Sequence, residues 1–409
     1  METLIFKCPD CGANLEFDPH SNSMYCASCG QYYAADRFTN ADTIANDDNK
    51  TETTDHKNVV RENVTYMQVR IFHCSSCGAE LIGNDVEVTK TCAYCGQSTI
   101  IFDRVSNERQ PEKILPFCVT KEQAVESAQS KFKKAKCLAV NLDEITLDSV
   151  SGIYMPYWVY STEGNLDVEV TKKTSQNGYV TKTQNSKGTL DIPLDASRRL
   201  NDTVAENLYP FPLEKCVDFN PAYLSGFFGD ISDVGEEERS KEATKYLYKY
   251  LIERALERMQ DVPDSTNMQY YGEIYEKTGA LSITTSNARC EVTKIQYMFL
   301  PIYFITFRIE NKPVIILVNG ATGKVVGSIP VDEEKLKKHQ RKDILIHTLL
   351  YAVIFGVVFA FVPIIGGLVI LVVVVGIGVI VGAKNKRRYD ELLAKTNSRS
   401  MISISKNRE

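Results

Sequence analysis

Three catalytic signatures are missing from this sequence. It contains no His-Glu-x-x-His motif and no Gly-x-Ser-x-Gly elbow, and its five histidines are scattered. The nearest approach to a phosphate-binding loop is "GATGKVVG" (320–327). There Gly323 follows Gly320 too closely, and Val325 stands after Lys324 where Ser or Thr is required. These absences exclude zincin, serine-hydrolase and P-loop chemistry, and the glycine stretch reads as a β-turn between two strands. The N-terminus, "METLIFKCPDC", also lacks a charged leader followed by a long apolar run, so it does not read as a secretory signal. Without export, the cysteines are expected to serve as metal ligands in a reducing cytosol and not as disulfides.

Cysteine is what the sequence does have. Eight of twelve form four Cys-x-x-Cys pairs, and each pair is followed by glycine: Cys8/Cys11, Cys26/Cys29, Cys74/Cys77 and Cys92/Cys95. Fourteen residues separate Cys11 from Cys26, and fourteen separate Cys77 from Cys92. Two intervening residues let a tight turn aim both sulfurs at one ion, and Gly12, Gly30, Gly78 and Gly96 accept the positive φ such a turn needs. Two such turns on short strands make a zinc ribbon. The pattern predicts two structural Zn²⁺ ions, each closed by four thiolates with no position left for substrate, and iron accepts the same set. No catalytic or organic-cofactor residue is predicted. His20 and His73 lie near complete Cys₄ sets and read as solvated or packed. Cys118, Cys137, Cys216 and Cys290 read as small buried hydrophobes.

Duplicated metal modules raise the question of nucleic acid. Residues 1–110 hold nine Lys/Arg against sixteen Asp/Glu, a net of −7. Phosphate binding runs on cationic side chains, so this acidic region favours protein contact or the stapling of a small fold.

The remainder divides by composition. Residues 1–39 form the first ribbon, 40–65 a flexible acidic and polar linker, and 66–110 the second ribbon. Residues 111–335 read as an α+β domain with a largely antiparallel sheet. Within it, Thr120 and Gln123 stand in capping-box spacing, with Ala124, Ala128 and Phe132 down one helix face. "EEERSKEATKYLYKYLIERALERMQ" predicts a second helix burying Ala243, Leu247, Tyr250 and Leu251. "GIYMPYWVYSTEGNLDVEVTKKT", "GYVTKTQNSKGTLDIPL" and the stretch 282–330 read as strands, with a turn at Asn319–Gly323. "YMPYWVYSTEGN" (154–165) and "FLPIYFITFRIEN" (299–311) echo each other as related strands of one sheet, with Tyr157 and Trp158 in the core.

Residues 344–383 carry no Asp, Glu, Lys or Arg. One helix of that length would reach roughly 60 Å, twice the ~30 Å hydrocarbon core. Pro363 and Gly366–Gly367 break the run, which predicts a transmembrane hairpin of about 344–361 and 367–384. "KLKKHQRKD" precedes it, and residues 384–409 hold eight Lys/Arg against three Asp/Glu. Such flanks predict a multi-pass membrane protein with N- and C-termini cytoplasmic and the bilayer as a partner.

The tandem Cys-x-x-Cys-Gly ribbons, "YMPYWVY", "YLSGFFGD" (223–230), "FLPIYFITF" and "VNGATGKVVGSIP" occur in that order before the apolar run. Together they resemble a bacterial family of TFIIB-type zinc-ribbon membrane proteins, often labelled primosomal-protein or helicase-like. The resemblance covers most of residues 70–385, while the missing NTP loop leaves the helicase label without support. It implies an accessory protein integral to the bacterial inner (plasma) membrane, working beside SPFH-type or phage-shock-like proteins. The expected fold class is therefore α+β: two Cys₄ ribbons, a mixed domain and a C-terminal transmembrane hairpin. The expected function is a non-enzymatic membrane-anchored scaffold for protein–protein interaction, compatible with a homo-oligomer. A nucleic-acid-associated replication or transcription accessory protein is the alternative, and a thiol redox or metal sensor the third reading.

Overall fold

A computed structural model describes residues 5–38, 60–61, 64–83, 92, 94–97, 100–134, 140–173, 179–259, 270–271, 274–278, 281–309 and 312–327, with isolated positions between 332 and 350. The expected linker at 40–65 falls almost wholly outside these residues, as do Cys137 and everything from 351 onward.

Three short strands open the chain: β1 (Glu16–Asp18), β2 (Ser23–Tyr25) and β3 (Tyr32–Tyr33), joined in the order β1-β2-β3. All later strands join one large sheet. They begin with β4 (Val60–Arg61), β5 (Tyr66–Cys74), β6 (Glu80–Ile82), β7 (Ile100–Arg109) and β8 (Lys113–Ile114). Helix α1 (Lys121–Lys134) follows, then β9 (Thr146–Lys173) and β10 (Tyr179–Asp195). After α2 (Asp202–Asn207) come β11 (Val217–Asp218), β12 (Phe228–Asp230) and α3 (Ser240–Arg258). The chain continues through β13 (Tyr270–Tyr271), β14 (Ile274–Thr278), β15 (Leu281–Ile309), β16 (Lys312–Asn319) and β17 (Val325–Val326). The main path of the sheet runs β11-β8-β15-β9-β12-β6-β5-β7.

Two strands organise everything else. β9 has 28 residues and β15 has 29, and they pair antiparallel from Thr146↔Arg308 to Lys172↔Leu281. At ~3.3 Å per residue each strand measures roughly 90 Å along its contour. Their alternation explains the two-sided burial. Tyr154, Trp158 and Tyr160 belong to one hydrophobic layer, and Ile153, Met155 and Tyr157 to the other. The echoing segments do lie side by side, with Tyr154 opposite Pro301 and Trp158 opposite Tyr297. Phe117 stacks on Phe227 at 4.2 Å in the first layer, with Tyr154 and Tyr303 packed edgewise or tilted on Phe117. Asn287, at φ 52°, marks one register shift in β15, and its amide donates to Asp167 on β9 at 2.8 Å. Asn tolerates that left-handed conformation better than most residues.

The helices cap this sheet. In α1 the backbone N–H of Thr120 donates to Gln123 Oε1 at 3.0 Å, and the N–H of Gln123 donates back to Thr120 Oγ1 at 3.3 Å. Ala124, Ala128 and Phe132 are buried as the periodicity requires. Helix α3 buries Ala243, Leu247 and Leu251, while Tyr250 is half-buried.

The expected fold class needs correction. The described chain is mostly sheet, and β15 continues as a single strand through a stretch that reads as several separate ones. Nor is residues 66–110 a free-standing ribbon, since β5, β6 and β7 belong to the large sheet. Among the described residues no helix is long and apolar enough to cross a membrane. That finding overturns the transmembrane hairpin as an element of the described fold. It also overturns the membrane keywords and the multi-pass inner-membrane placement that depended on the hairpin. Most of the run at 344–383 lies outside the described residues.

Candidate metal centres

Each Cys-x-x-Cys-Gly turn folds identically. The glycine N–H donates to the carbonyl of the first cysteine: Gly12 to Cys8 at 2.9 Å, and Gly30 to Cys26, Gly78 to Cys74 and Gly96 to Cys92 each at 2.8 Å. The N–H of that first cysteine reaches back to the residue after glycine: Cys8 to Ala13, Cys26 to Gln31, Cys74 to Ala79 and Cys92 to Gln97. The glycines sit at φ 75°, 75°, 75° and 70°. A Cβ on Gly12, Gly30 or Gly78 would meet nothing within 4 Å, so backbone conformation and not crowding demands glycine there.

The turns meet in pairs. Cys8, Cys11, Cys26 and Cys29 gather in one group and Cys74, Cys77, Cys92 and Cys95 in another, with the sulfurs of each group all within 4.8 Å. Cys8 and Cys29 sulfurs are 3.6 Å apart, and Cys11 and Cys26 3.5 Å. In the second group both measured separations are 3.7 Å. A disulfide needs ~2.05 Å. A tetrahedral ion with bonds of ~2.3 Å places its sulfurs roughly 3.8 Å apart. The donor set and its spacing fit a metal ion, and each group can hold one. His20 is exposed, His73 is half-buried, and neither joins a group.

The sulfurs do not titrate alike. Burial pushes Cys8 up, but the Tyr33 hydroxyl and the backbone N–H groups of Cys11 and Asp10 outweigh it and bring the thiol to about 6. The N–H of Gln31 draws Cys29 down, yet its bonds to Cys26 and Cys8, together with burial, push it to about 12. In the second group the hydrogen bond from Cys92 brings Cys77 to about 5, and the same bond raises Cys92. Cys8 in the first group and Cys77 in the second release their protons readily, while Cys11, Cys29, Cys92 and Cys95 hold theirs to higher pH. A divalent cation supplies the charge that lets the rest ionise.

The two centres have different surroundings. In the first, Cys11 and Cys29 are exposed and Cys8 and Cys26 buried. Tyr33 lies 3.3 Å from the Cys8 sulfur and donates its hydroxyl to Asp10 at 2.8 Å. The outer surface carries Tyr32, 54% exposed, whose ring is 4.7 Å from that of Tyr25. In the second, Cys74 and Cys92 are buried and Cys77 and Cys95 half-buried against the core. Tyr94, inside the last turn, is buried; it packs edge-on to Phe304 at 5.1 Å and donates to Met155 Sδ at 3.2 Å. Beside it Asp230, fully buried, pairs with Arg199 at 2.8 Å.

One stretch fastens both centres to the sheet. In "YLSGFFGD", Ser225 Oγ donates to the Leu15 carbonyl at 2.5 Å, and the Phe17 N–H donates to the Ser225 carbonyl at 3.0 Å. Tyr223 packs against Phe17 at 5.0 Å. Phe227 joins the aromatic stack, and β12 lies parallel to β9 and antiparallel to β6. Asn220 adds a bond from its amide to the Ala35 carbonyl at 3.0 Å. The first ribbon is therefore docked, not loosely tethered. Sequence reading singled out this motif only for its resemblance; the alternation of small and aromatic residues was the available sign of a close-packed joint.

The single cysteines are not uniformly buried. Cys118 is exposed, and Cys216 and Cys290 are half-buried. Burial raises Cys216 to about 11, and it raises Cys290 as well.

No family model matches the chain, and no solved structure matches it. It is similar to a Bacillus subtilis (strain 168) protein described as "Uncharacterized protein YdjG". The two are 26% identical over 349 residues, spanning 81% of this chain and 92% of that protein.

Proposed function

We propose that the chain is a non-enzymatic zinc-ribbon scaffold whose first ribbon presents a protein-binding face. The observation that carries this reading is the closure of both Cys₄ groups, which leaves no coordination position for a reacting molecule. Zinc suits four thiolates in a tetrahedron and contributes folding energy directly. In the second centre, Cys74, Cys77, Cys92 and Cys95 hold the ends of β5 and β7 together beneath the core. In the first, Cys8, Cys11, Cys26 and Cys29 fix a small sheet whose inner side docks on Ser225 and Phe227. Its outer side turns the Tyr25–Tyr32 pair to solvent. Paired tyrosines present large, rigid contact area at low entropic cost. SPFH-type and phage-shock-like proteins are the first partners to examine, on the strength of the resemblance alone.

Metal analysis of purified protein is expected to give two equivalents of zinc; iron in place of zinc refutes the metal assignment. Affinity purification of the full chain, compared with Tyr32→Glu, tests the scaffold. A partner held by the wild type and lost with Tyr32→Glu, at unchanged zinc content, supports it. Equal recovery with Tyr32→Glu refutes the proposed face.

A further inference from the structure

β7 closes one end of the large sheet. It is ten residues long, and among the described residues it pairs only with β5. Its residues are exposed or half-buried throughout, including Ile101 at 58%, Phe102 at 46% and Val105 at 45%. A long edge strand bearing apolar side chains is a template for pairing with another strand. Among the described residues β10 likewise pairs only with β9; it exposes Tyr179 and Val180 at one end, but along its length it carries Lys182 and Lys187, the usual means of discouraging such pairing.

The charges on β7 specify a partner. Residues 103–109 read Asp-Arg-Val-Ser-Asn-Glu-Arg, which is charge-complementary to itself when reversed. Two copies running antiparallel about a twofold axis at Ser106, normal to the sheet, set Arg104 opposite Glu108 of the other copy, and Glu108 opposite Arg104. Val105 then faces Asn107, and Asp103 falls opposite Arg109, whose guanidinium is already held by Glu112 and Glu236 at 2.9 Å each, so the Arg104–Glu108 pairs carry the register. A slip of one register step, to an axis at Val105 or Asn107, removes all of these charge pairs. An axis at Arg104 opposes two arginines, and an axis at Glu108 opposes two glutamates. The local chemistry permits the new contacts. Arg104 is exposed at the strand, where Glu80 at 3.2 Å and the neighbouring Asp103 hold it, and Glu108 accepts the Ser106 hydroxyl at 2.6 Å. The bulge between Ile71 and Phe72 falls opposite Asp103, outside the central five residues, which keep regular pairing with β5.

We infer that β7 is a self-association edge, joining two copies of this chain into one continuous sheet in the register centred on Ser106. The inference rests on the scaffold reading and makes the scaffold bivalent, with two first-ribbon faces per assembly. Opposite charges directly across an antiparallel pair stabilise it, and like charges destabilise it.

Purified, zinc-loaded full-length protein is expected to show concentration-dependent dimerisation by analytical ultracentrifugation. Arg104→Glu and Glu108→Arg should each weaken the dimer by about tenfold or more. The double exchange Arg104→Glu/Glu108→Arg should restore it, which no general loss of folding can do. Val180→Lys on β10 should leave it unchanged. Ser106→Cys should form an intermolecular disulfide under mild oxidation, because paired Cα atoms across the axis fall within bridging distance. Monomer at all concentrations overturns the inference while leaving Tyr32-dependent partner capture intact. A dimer that survives both single reversals, or is not restored by the exchange, overturns the register. Loss of Tyr32-dependent capture with dimerisation preserved would instead remove the scaffold reading alone.

Discussion

Replacing Gly30 by alanine separates backbone strain from packing. Gly30 sits at φ 75°, and a Cβ there would touch nothing within 4 Å. The whole penalty is therefore conformational, about 1–2 kcal/mol for an L-residue held left-handed. The turn must keep that conformation for the Gly30 N–H to reach the Cys26 carbonyl at 2.8 Å and for the turn to aim both sulfurs. Without metal the turn can relax, so the strain is felt on binding. It should appear as roughly five- to thirty-fold weaker zinc affinity at the first centre. Gly235 supplies the control: its added Cβ also meets open space, and its φ is not positive. Competition against a chelating indicator, with the second centre serving as internal reference, measures the difference. If Gly30→Ala binds zinc as tightly as Gly235→Ala, the turn does not dictate glycine by conformation and the account of all four turns fails.

Chelation should strip the first centre before the second, because its outer ligands Cys11 and Cys29 are exposed while Cys77 and Cys95 of the second are half-buried. Two-phase zinc release whose fast phase disappears in Cys11→Ser checks this; a single phase refutes it. Arg199→Met strands the fully buried Asp230 carboxylate and should cost about 3–5 kcal/mol in urea unfolding. Arg199→Met/Asp230→Leu should recover most of that loss. Burial raises Asp195, so the folded chain keeps this proton to higher pH than the unfolded chain, whose Asp titrates near ~3.9. The stability tied to Asp195 is thus complete below that value and falls as pH rises through the raised one. Unfolding series of wild type and Asp195→Asn should diverge accordingly, and a pH-independent difference would contradict the assignment. Ala at Gly320 would place its Cβ 2.4 Å from Phe117 and 2.9 Å from Pro301. Overpacking of about 1–3 kcal/mol should lower the melting temperature, and no shift would show that the stack can give way.

The metal ligands were legible because their chemistry is local. Two cysteines, a two-residue gap and a glycine specify a turn whatever lies around it, and all four turns formed. Helix α1 was legible for the same reason, since Thr120 and Gln123 close their cap within four residues. The joint at 220–230 was not, because its meaning lies in partners far along the chain: Ser225 holds Leu15, and Gly229 pairs with both Ile82 and Tyr154. The extent of β15 also escaped reading. The polar stretch Thr284–Arg289 gives no sign of continuing as one strand until β9 supplies the ladder that faces it. Hydropathy alone pointed to spanning helices at 344–383, and no described helix matches that expectation. The burial of Asp195 and Asp230 left no sign in composition, since an aspartate in a strand gives no hint of what covers it.

The length of the β9–β15 ladder bears on how the chain is made. Its paired residues are between 109 and 162 positions apart in sequence, whereas β10 folds back on β9 at once. At ~5–20 residues per second, a ribosome delivers β15 roughly 5 to 30 seconds after the strand it must join. Throughout that interval the edge of β9 that β15 will occupy is open, and α3, which packs across the face of β9 and β10, is made before the missing strand is. Holding α3 against the nascent hairpin gives the growing chain a cover of its own until β15 emerges.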